Sequence, residues 1–465
     1  MKLTVFIRKH KLYLILFIFD LMAFAASILA SGTSFFADAY SHSLYRYGSL
    51  VISSVTGLLP FSLVELMLYF LLVFIPLDLI FQILSALKMH RSDTVKAAHI
   101  EAENEIMDKQ APSMSVPVAK KATHYFFAGL LRGSCMFLGH LFLIISLLFS
   151  LYVFNCGINY YRTPFSVEAG LDISPSDINE TDLEKLCEYL VEGINESEAK
   201  LLSHSVFQAS ANPDSLSSDF ASYNSPAPYS SSDTSRDYLS TASRPTPIKL
   251  YNGAYLGEAW DSEKPSLSYL LETGKNGQTA MEKLGAKFPR LSGHYPLPKP
   301  LINSWLLSIQ QVTGVYSPFT IEANYNRDIP YYDIPFTICH ELSHLRGYMQ
   351  EEEANFIAIL ATTDSDDAYF NYSGFVSAWV YAGNTLAGTN PEKFAELYNR
   401  INVYTRLDMQ YNNDFWDRYE TEIAETHEKL NDAYLKYNGQ TAGVLSYGHV
   451  VDLMVAYYRK NGTLH

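Results

Sequence analysis

The pattern of apolar and polar positions splits the chain into a hydrophobic front and an amphipathic remainder. Three runs are long and apolar enough to cross a bilayer as helices: Leu12 to Leu29, broken only by Asp20, then Ser62 to Ile83, then Gly133 to Phe154. Asp20 would be costly in mid-bilayer unless it pairs within the helical cluster or stays protonated, while Glu65 and Asp78 sit toward the ends of the second run, within reach of the interface. His140 in the third run reads as a helix-packing histidine.

Beyond residue 155 the period changes. Between Ser176 and Leu202 the residues Leu183, Leu186, Leu190, Val191 and Ile194 recur at helical spacing, with Thr181 as the expected N-cap. Ser203 to Pro247 is Ser-, Ala-, Tyr- and Pro-rich and cannot bury enough apolar surface to order itself, so it reads as a flexible insertion. Helical patterning resumes at Leu267–Phe288 and Leu301–Gln311, and again at Phe375–Leu386, Pro391–Val403, Phe415–Tyr437 and Val450–Tyr458. Tyr316–Tyr325, YSPFTIEANY, alternates and reads as a strand. The expected fold is mostly α with a small β-sheet. Residues 1–155 form a membrane region with helices at about 12–29, 62–83 and 133–154, residues 156–202 a helical lead-in, 203–247 the insertion and 248–465 the main domain.

Basic residues set an orientation. Lys2, Arg8, Lys9 and Lys11 precede the first run, and residues 88–124 carry Lys88, Arg91, Lys96, Lys109, Lys120 and Lys121, the mark of a cytoplasmic loop. Counting spans from there puts everything after about Cys156 outside the cytoplasm, in a multi-pass protein of the cell membrane. A formal charge of -15 argues against a nucleic-acid partner. The four cysteines show no C-x-x-C spacing and no disulfide framework.

The chemistry is concentrated in Ile334–Ala358, IPFTICHELSHLRGYMQEEEANFIA. His340 and His344 lie four residues apart, so on a helix they point within about 40° of each other and can address one ion. Glu341, one step round, can reach a water beside that ion as general base. Cys339 points about 100° away from His340 and reads as core. Asp333 before Ile334-Pro335 is the expected N-cap of this helix, and Gly347 its left-handed C-cap. A second helix then begins at Glu351-Glu352-Glu353, from which a carboxylate can serve as third ligand. Glu351 is favoured because Asn355 then falls one turn on, where it can bind a ligand histidine's other nitrogen, but Glu352 and Glu353 stay open. Tyr348, Ser446, Tyr447 and His449 are candidates for stabilising an oxyanion. The acidic turn Asp364–Asp367 lacks the Gly and terminal Glu of a calcium loop.

H-E-x-x-H followed by a helix with E-x-x-A-N resembles the zincin metallopeptidases of the gluzincin type. With the three hydrophobic runs and the stretch Asn431–Asp452, NDAYLKYNGQTAGVLSYGHVVD, the chain resembles a bacterial family of membrane-anchored, zincin-like proteins, domain of unknown function 3810. The resemblance implies a zincin-like metallopeptidase domain, zinc ligands at His340, His344 and Glu351, and a base at Glu341. In zincins a strand just ahead of the active-site helix binds extended peptide by adding it to the sheet, a role open to Tyr316–Tyr325 beside that of an ordinary core strand. The expected activity is zinc-dependent hydrolysis of peptide bonds in protein or peptide substrates. A catalytically inactive, zinc-stabilised cell-surface sensor or assembly module is the alternative.

Overall fold

The computed structural model describes residues 11–107, 118–171, 179–211, 245–260, 262–438 and 449–465. The chain forms two units, one of residues 1–25 and 64–153, the other of 26–63 and 154–465. Among the described residues, Lys11–Gly32, Leu63–Lys88 and Phe126–Tyr161 are long and apolar enough to cross a membrane.

The first unit is built on α1 (Lys11–Gly32), α2 (Leu63–Met107) and α3 (Val118–Asn155). Both of the latter run well past their apolar stretches. Most of the basic segment expected as a loop is therefore helical, in keeping with the Ala, Glu and Lys it contains; residues 108–117 lie outside the described residues. Polar groups in this unit pair with one another. The Asp20 carboxylate accepts hydrogen bonds from Ser146 and Ser150 of α3. Asp78 accepts from Gln82 at 3.0 Å and lies 2.9 Å from His140 Nδ1. Each contact answers the cost of placing a polar side chain among apolar helices.

The second unit takes in residues 26–63, which fall within the membrane region expected from sequence. Residues 26–32 are the last turns of α1, and 34–56 fold as short helices Ser34–Tyr40 and Arg46–Thr56 around a π-helical turn, Ser41–Tyr45. Tyr45, Ser49, Ser53 and Thr56 form a buried stripe at helical spacing. Lys299 and Glu322, both almost wholly buried, form an ion pair; Lys299 Nζ also donates to the Thr56 carbonyl at 2.7 Å, and Glu322 accepts from the Leu63 amide. This pair ties the segment down.

The rest of the unit is helical: α4 (Glu180–Ala211), α5 (Leu267–Lys287), α6 (Asp333–Leu345), α7 (Glu351–Thr363), α8 (Ala368–Thr389), α9 (Pro391–Arg400), α10 (Val403–Asp417), α11 (Glu422–Tyr437) and α12 (His449–Asn461). The start of α4 is capped by Asn179, whose side chain accepts from the Asp182 amide, and not by Thr181, which lies inside the helix. Helix α4 runs nine residues past the expected end at Leu202, to Ala211, and 212–244 of the Ser-rich segment lie outside the described residues.

A short antiparallel pair, β1 (Ile248–Lys249) and β2 (Tyr255–Leu256), precedes a three-stranded sheet of β3 (Lys299–Pro300), β4 (Gly314–Ser317) and β5 (Glu322–Tyr325) in the order β3-β5-β4. The expected single strand Tyr316–Tyr325 is thus a hairpin. Its strands pair Gly314 with Tyr325 and Ser317 with Glu322, and the turn needs Ile321 at a positive φ. Helix α6 packs between the sheet and helices α5, α7 and α8. Its buried residues Ile334, Ile338 and Leu342 recur at four-residue spacing and anchor it in the core. The turn Asp364–Asp367 is structural: Asp364 and Asp366 pair with Lys283, and Asp367 accepts from the Tyr369 and Phe370 amides as N-cap of α8.

Candidate metal centre

Helix α6 begins at Asp333 itself, preceded by Tyr332 without a side-chain cap, so Asp333 is not the N-cap expected from sequence. One first-turn amide, that of Phe336, is satisfied instead by Ser373 Oγ of α8 at 3.1 Å. Asp333 is half-buried, and its desolvation pushes the carboxyl up to about 7 against the opposing pull of His340.

The far end of α6 is closed by a two-bond turn. The Gly347 amide donates to the His344 carbonyl at 2.8 Å and the Tyr348 amide to the Ser343 carbonyl at 3.3 Å, with Gly347 at φ +84°. This is the Schellman arrangement, and it requires a residue without Cβ strain at the left-handed position. The turn delivers the Tyr348 carbonyl to His344, 2.7 Å from Nδ1.

Helix α7 supplies the matching contact for the other ring. Asn355 Oδ1 stands 2.8 Å from His340 Nδ1. With each Nδ1–H donating to an oxygen, both Nε2 atoms present lone pairs to the same space. They lie 3.0 Å apart, and Glu351 Oε2 and Oε1 approach them at 3.3 and 3.7 Å. One ligand atom from each of the three residues falls within 4.8 Å of the others.

Of the three adjacent acids, Glu351 is therefore the one brought to the histidines. Glu353 turns the other way, accepting from the backbone amides of Phe165 and Ser166. Burial lowers His344 to about 4, whereas at His340 burial is outweighed by the hydrogen bond and charge of Glu351, which hold the ring at about 9. Without an ion the His340 ring keeps a proton that it shares with Glu351; once that proton leaves, two imidazole lone pairs and a carboxylate converge, a donor set that fits zinc.

Glu341 is 3% exposed, and its Oε2 has no hydrogen-bond partner among the described residues. Burial raises its carboxyl to about 8, with His340 and the Tyr316 amide pulling the other way. Strand β4, at the sheet edge, passes so close that a Cβ on Gly314 would come within 2.5 Å of Glu341 Oε1. Glycine at strand position 314 is what lets the edge approach the acid.

The oxyanion candidates fare unevenly. The Tyr348 hydroxyl donates to Glu168 at 2.8 Å, so its carbonyl and not its phenol reaches the site. Ser446 and Tyr447 lie outside the described residues, and His449 is exposed at the start of α12. Two tyrosines escaped sequence reasoning. Tyr316 of β4 has its ring centroid 6.3 Å from that of His344, and its hydroxyl lies 3.2 Å from that of Tyr45, which in turn donates to the Leu345 carbonyl at 2.9 Å. Tyr45 is 300 residues from its acceptor, and no local pattern foretells such a contact. Cys339 is buried in the core, as its position on the helix implied.

No characterised protein and no solved structure matches the chain. A family model described as Protein of unknown function (DUF3810) matches residues 126–455. That span takes in the third apolar helix, the two imidazoles, the neighbouring acids and most of the helical unit around them, and the chain belongs to this family.

Proposed function

We propose that this protein is a membrane-anchored zinc metallopeptidase of zincin type that hydrolyses peptide bonds in protein or peptide substrates at the extracytoplasmic face. The observation that carries the reading is the convergence of His340, His344 and Glu351 beside a buried Glu341 whose Oε2 has no hydrogen-bond partner among the described residues. His340, His344 and Glu351 would hold the ion, with Asn355 and the Tyr348 carbonyl fixing the two rings. Bound zinc supplies a Lewis acid that acidifies water and polarises a carbonyl. Glu341 would take the proton of the attacking water and return it to the leaving amine, a role open to its Oε2, which has no hydrogen-bond partner among the described residues. The edge of β4 receives the extended substrate as an added strand, which aligns its backbone beside Glu341.

The sidedness rests on the basic residues of 1–11 and 88–124. The alternative, a zinc-stabilised surface module without turnover, is supported by the low exposure of the ligands, with side chains 13%, 9% and 22% accessible. The two separate in one experiment. The purified full-length protein, assayed for metal content and for cleavage of a proteome-derived peptide mixture by mass spectrometry, should carry about one zinc per chain and cut peptides in a chelator-sensitive way. Zinc without any cleavage supports the surface module; neither zinc nor cleavage defeats both readings.

A further inference from the structure

Next to the turn between α6 and α7 lies a pocket of ≈ 150 Å³ walled by four guanidinium groups, those of Arg46, Arg162, Arg290 and Arg346. None of His340, His344 or Glu351 lines it. Arg162 and Arg346 are 7% and 8% exposed. Each lies over a tyrosine ring, Arg162 over Tyr348 and Arg346 over Tyr295, with 4.1 Å from Cζ to the ring centroid in both cases. Each also spends one donor on a backbone carbonyl, Arg162 on that of Arg346 and Arg346 on that of His294.

Those contacts leave donors over. Among the described residues the Nε of Arg162 and the Nε of Arg346 are buried without a hydrogen-bond acceptor, and the Arg290 Nη1 faces only Asp38, at 3.6 Å. Among the described residues no carboxylate pairs with Arg46, Arg162 or Arg346. The acids paired here, Asp38 and Glu168, stand 3.6 and 3.7 Å from Arg290 and are also engaged by Thr163 and Tyr348. Four cations against two anions around a small concavity is a repulsive arrangement with surplus donors, which an anion bearing several acceptor oxygens relieves. The fork of a guanidinium matches a phosphate better than a point anion such as chloride.

We propose that this pocket binds a phosphate-type oxyanion. Two of its walls come from chain that has just left an apolar helix: Ser41 follows the end of α1 by nine residues, and Arg162 directly follows Tyr161, the last residue of the third candidate span. Phosphate in this position comes either from the headgroup of an anionic phospholipid or from solution. The pocket is built whether or not the neighbouring site hydrolyses peptides.

The test uses the full-length protein in phosphatidylcholine vesicles, its melting followed with sodium phosphate against sodium chloride at equal ionic strength, and again with phosphatidylglycerol replacing part of the lipid. Phosphate, phosphatidylglycerol or both should raise the midpoint in a saturable way, and which of them does so names the source. Arg46 is exposed, so Arg46→Gln and Arg46→Glu should fold, with a midpoint in chloride no lower than that of the unmutated protein. Arg46→Gln should weaken the apparent affinity about tenfold, and Arg46→Glu should abolish the shift. No shift with either probe, or a shift that Arg46→Glu leaves intact, overturns the proposal.

Discussion

His344 and Tyr348 are joined by a hydrogen bond of 2.7 Å from an imidazole Nδ1 to a backbone carbonyl, and the carbonyl is there because Gly347 turns the chain through φ +84°. The turn that ends α6 thus also sets which nitrogen of His344 faces the candidate metal. Gly347→Ala should therefore do two things at once. It places a Cβ in the left-handed region, at a cost of about 1 kcal/mol, and drives that atom to 2.9 Å from the Arg162 guanidinium. The melting midpoint should fall, and zinc affinity, measured by competition with a chromophoric chelator, should fall with it. Lost stability with undiminished zinc affinity would separate the turn from the site.

The contact between His340 and Asn355 predicts a cleaner effect. Asn355 is 3% exposed, and its carbonyl oxygen accepts from the ring. Asn355→Ala leaves all three ligand atoms in place but frees His340 to rotate, and supports of this kind are worth roughly 10- to 100-fold in metal affinity. His344→Ala removes a ligand outright and should abolish stoichiometric zinc. Metal content of both variants after dialysis against a weak chelator ranks the effects; equal retention would contradict the assignment of the donors.

Glu341→Gln tests chemistry apart from binding. The substitution is nearly isosteric in a position where a Cβ on Gly314 would already be too close, so the amide fits where the carboxyl did. It cannot take up a proton. Zinc content should stay at the unmutated level while peptide cleavage falls by roughly 10²- to 10⁴-fold. Full cleavage by this variant would remove Glu341 from the mechanism.

The candidate donors were legible in the sequence because they are local. H-E-x-x-H and the acid eleven residues past His340 lie on consecutive helices, and the glycine between them carries its own backbone signature. What separates Glu351 from Glu352 and Glu353 is the start of α7, a choice among three adjacent acids that depends on where the α6 turn ends. The three apolar helices were legible from length and composition. Residues 34–56 were not, since a segment between two apolar runs gives no sign that its Tyr45 will reach Leu345 or its Thr56 carbonyl Lys299. The hairpin β4–β5 reads as one strand in sequence because alternation continues through the turn, whose Pro318, Phe319, Thr320 and Ile321 include only a single strong turn former.

Away from the site, a buried acidic cluster predicts an unusual dependence of stability on pH. Burial raises Glu258 from 4.5 to about 8, Asp408 from 3.8 to about 7 and Glu198 from 4.5 to about 6. Asp408 sits between the other elements, accepting from the Glu258 amide and from the Tyr372 hydroxyl at 2.6 Å each, while Glu198 accepts from Thr405. Because these groups hold their protons to higher pH when folded than when unfolded, the folded state binds more protons between about pH 4 and 8. Stability is then full below the ordinary carboxylate range and falls as pH rises toward 8, by up to roughly 1.4 kcal/mol per pH unit for each group titrating. Asp408→Asn retains an oxygen for the Glu258 amide and offers a donor to Tyr372, and having no proton to lose it should flatten the slope. Denaturant melts of both proteins from pH 5 to 8, in chelator so that metal release does not enter, decide the matter: stability that rises with pH in the unmutated chain, or an unchanged slope in Asp408→Asn, would mean that these carboxyls are ionised in the folded state.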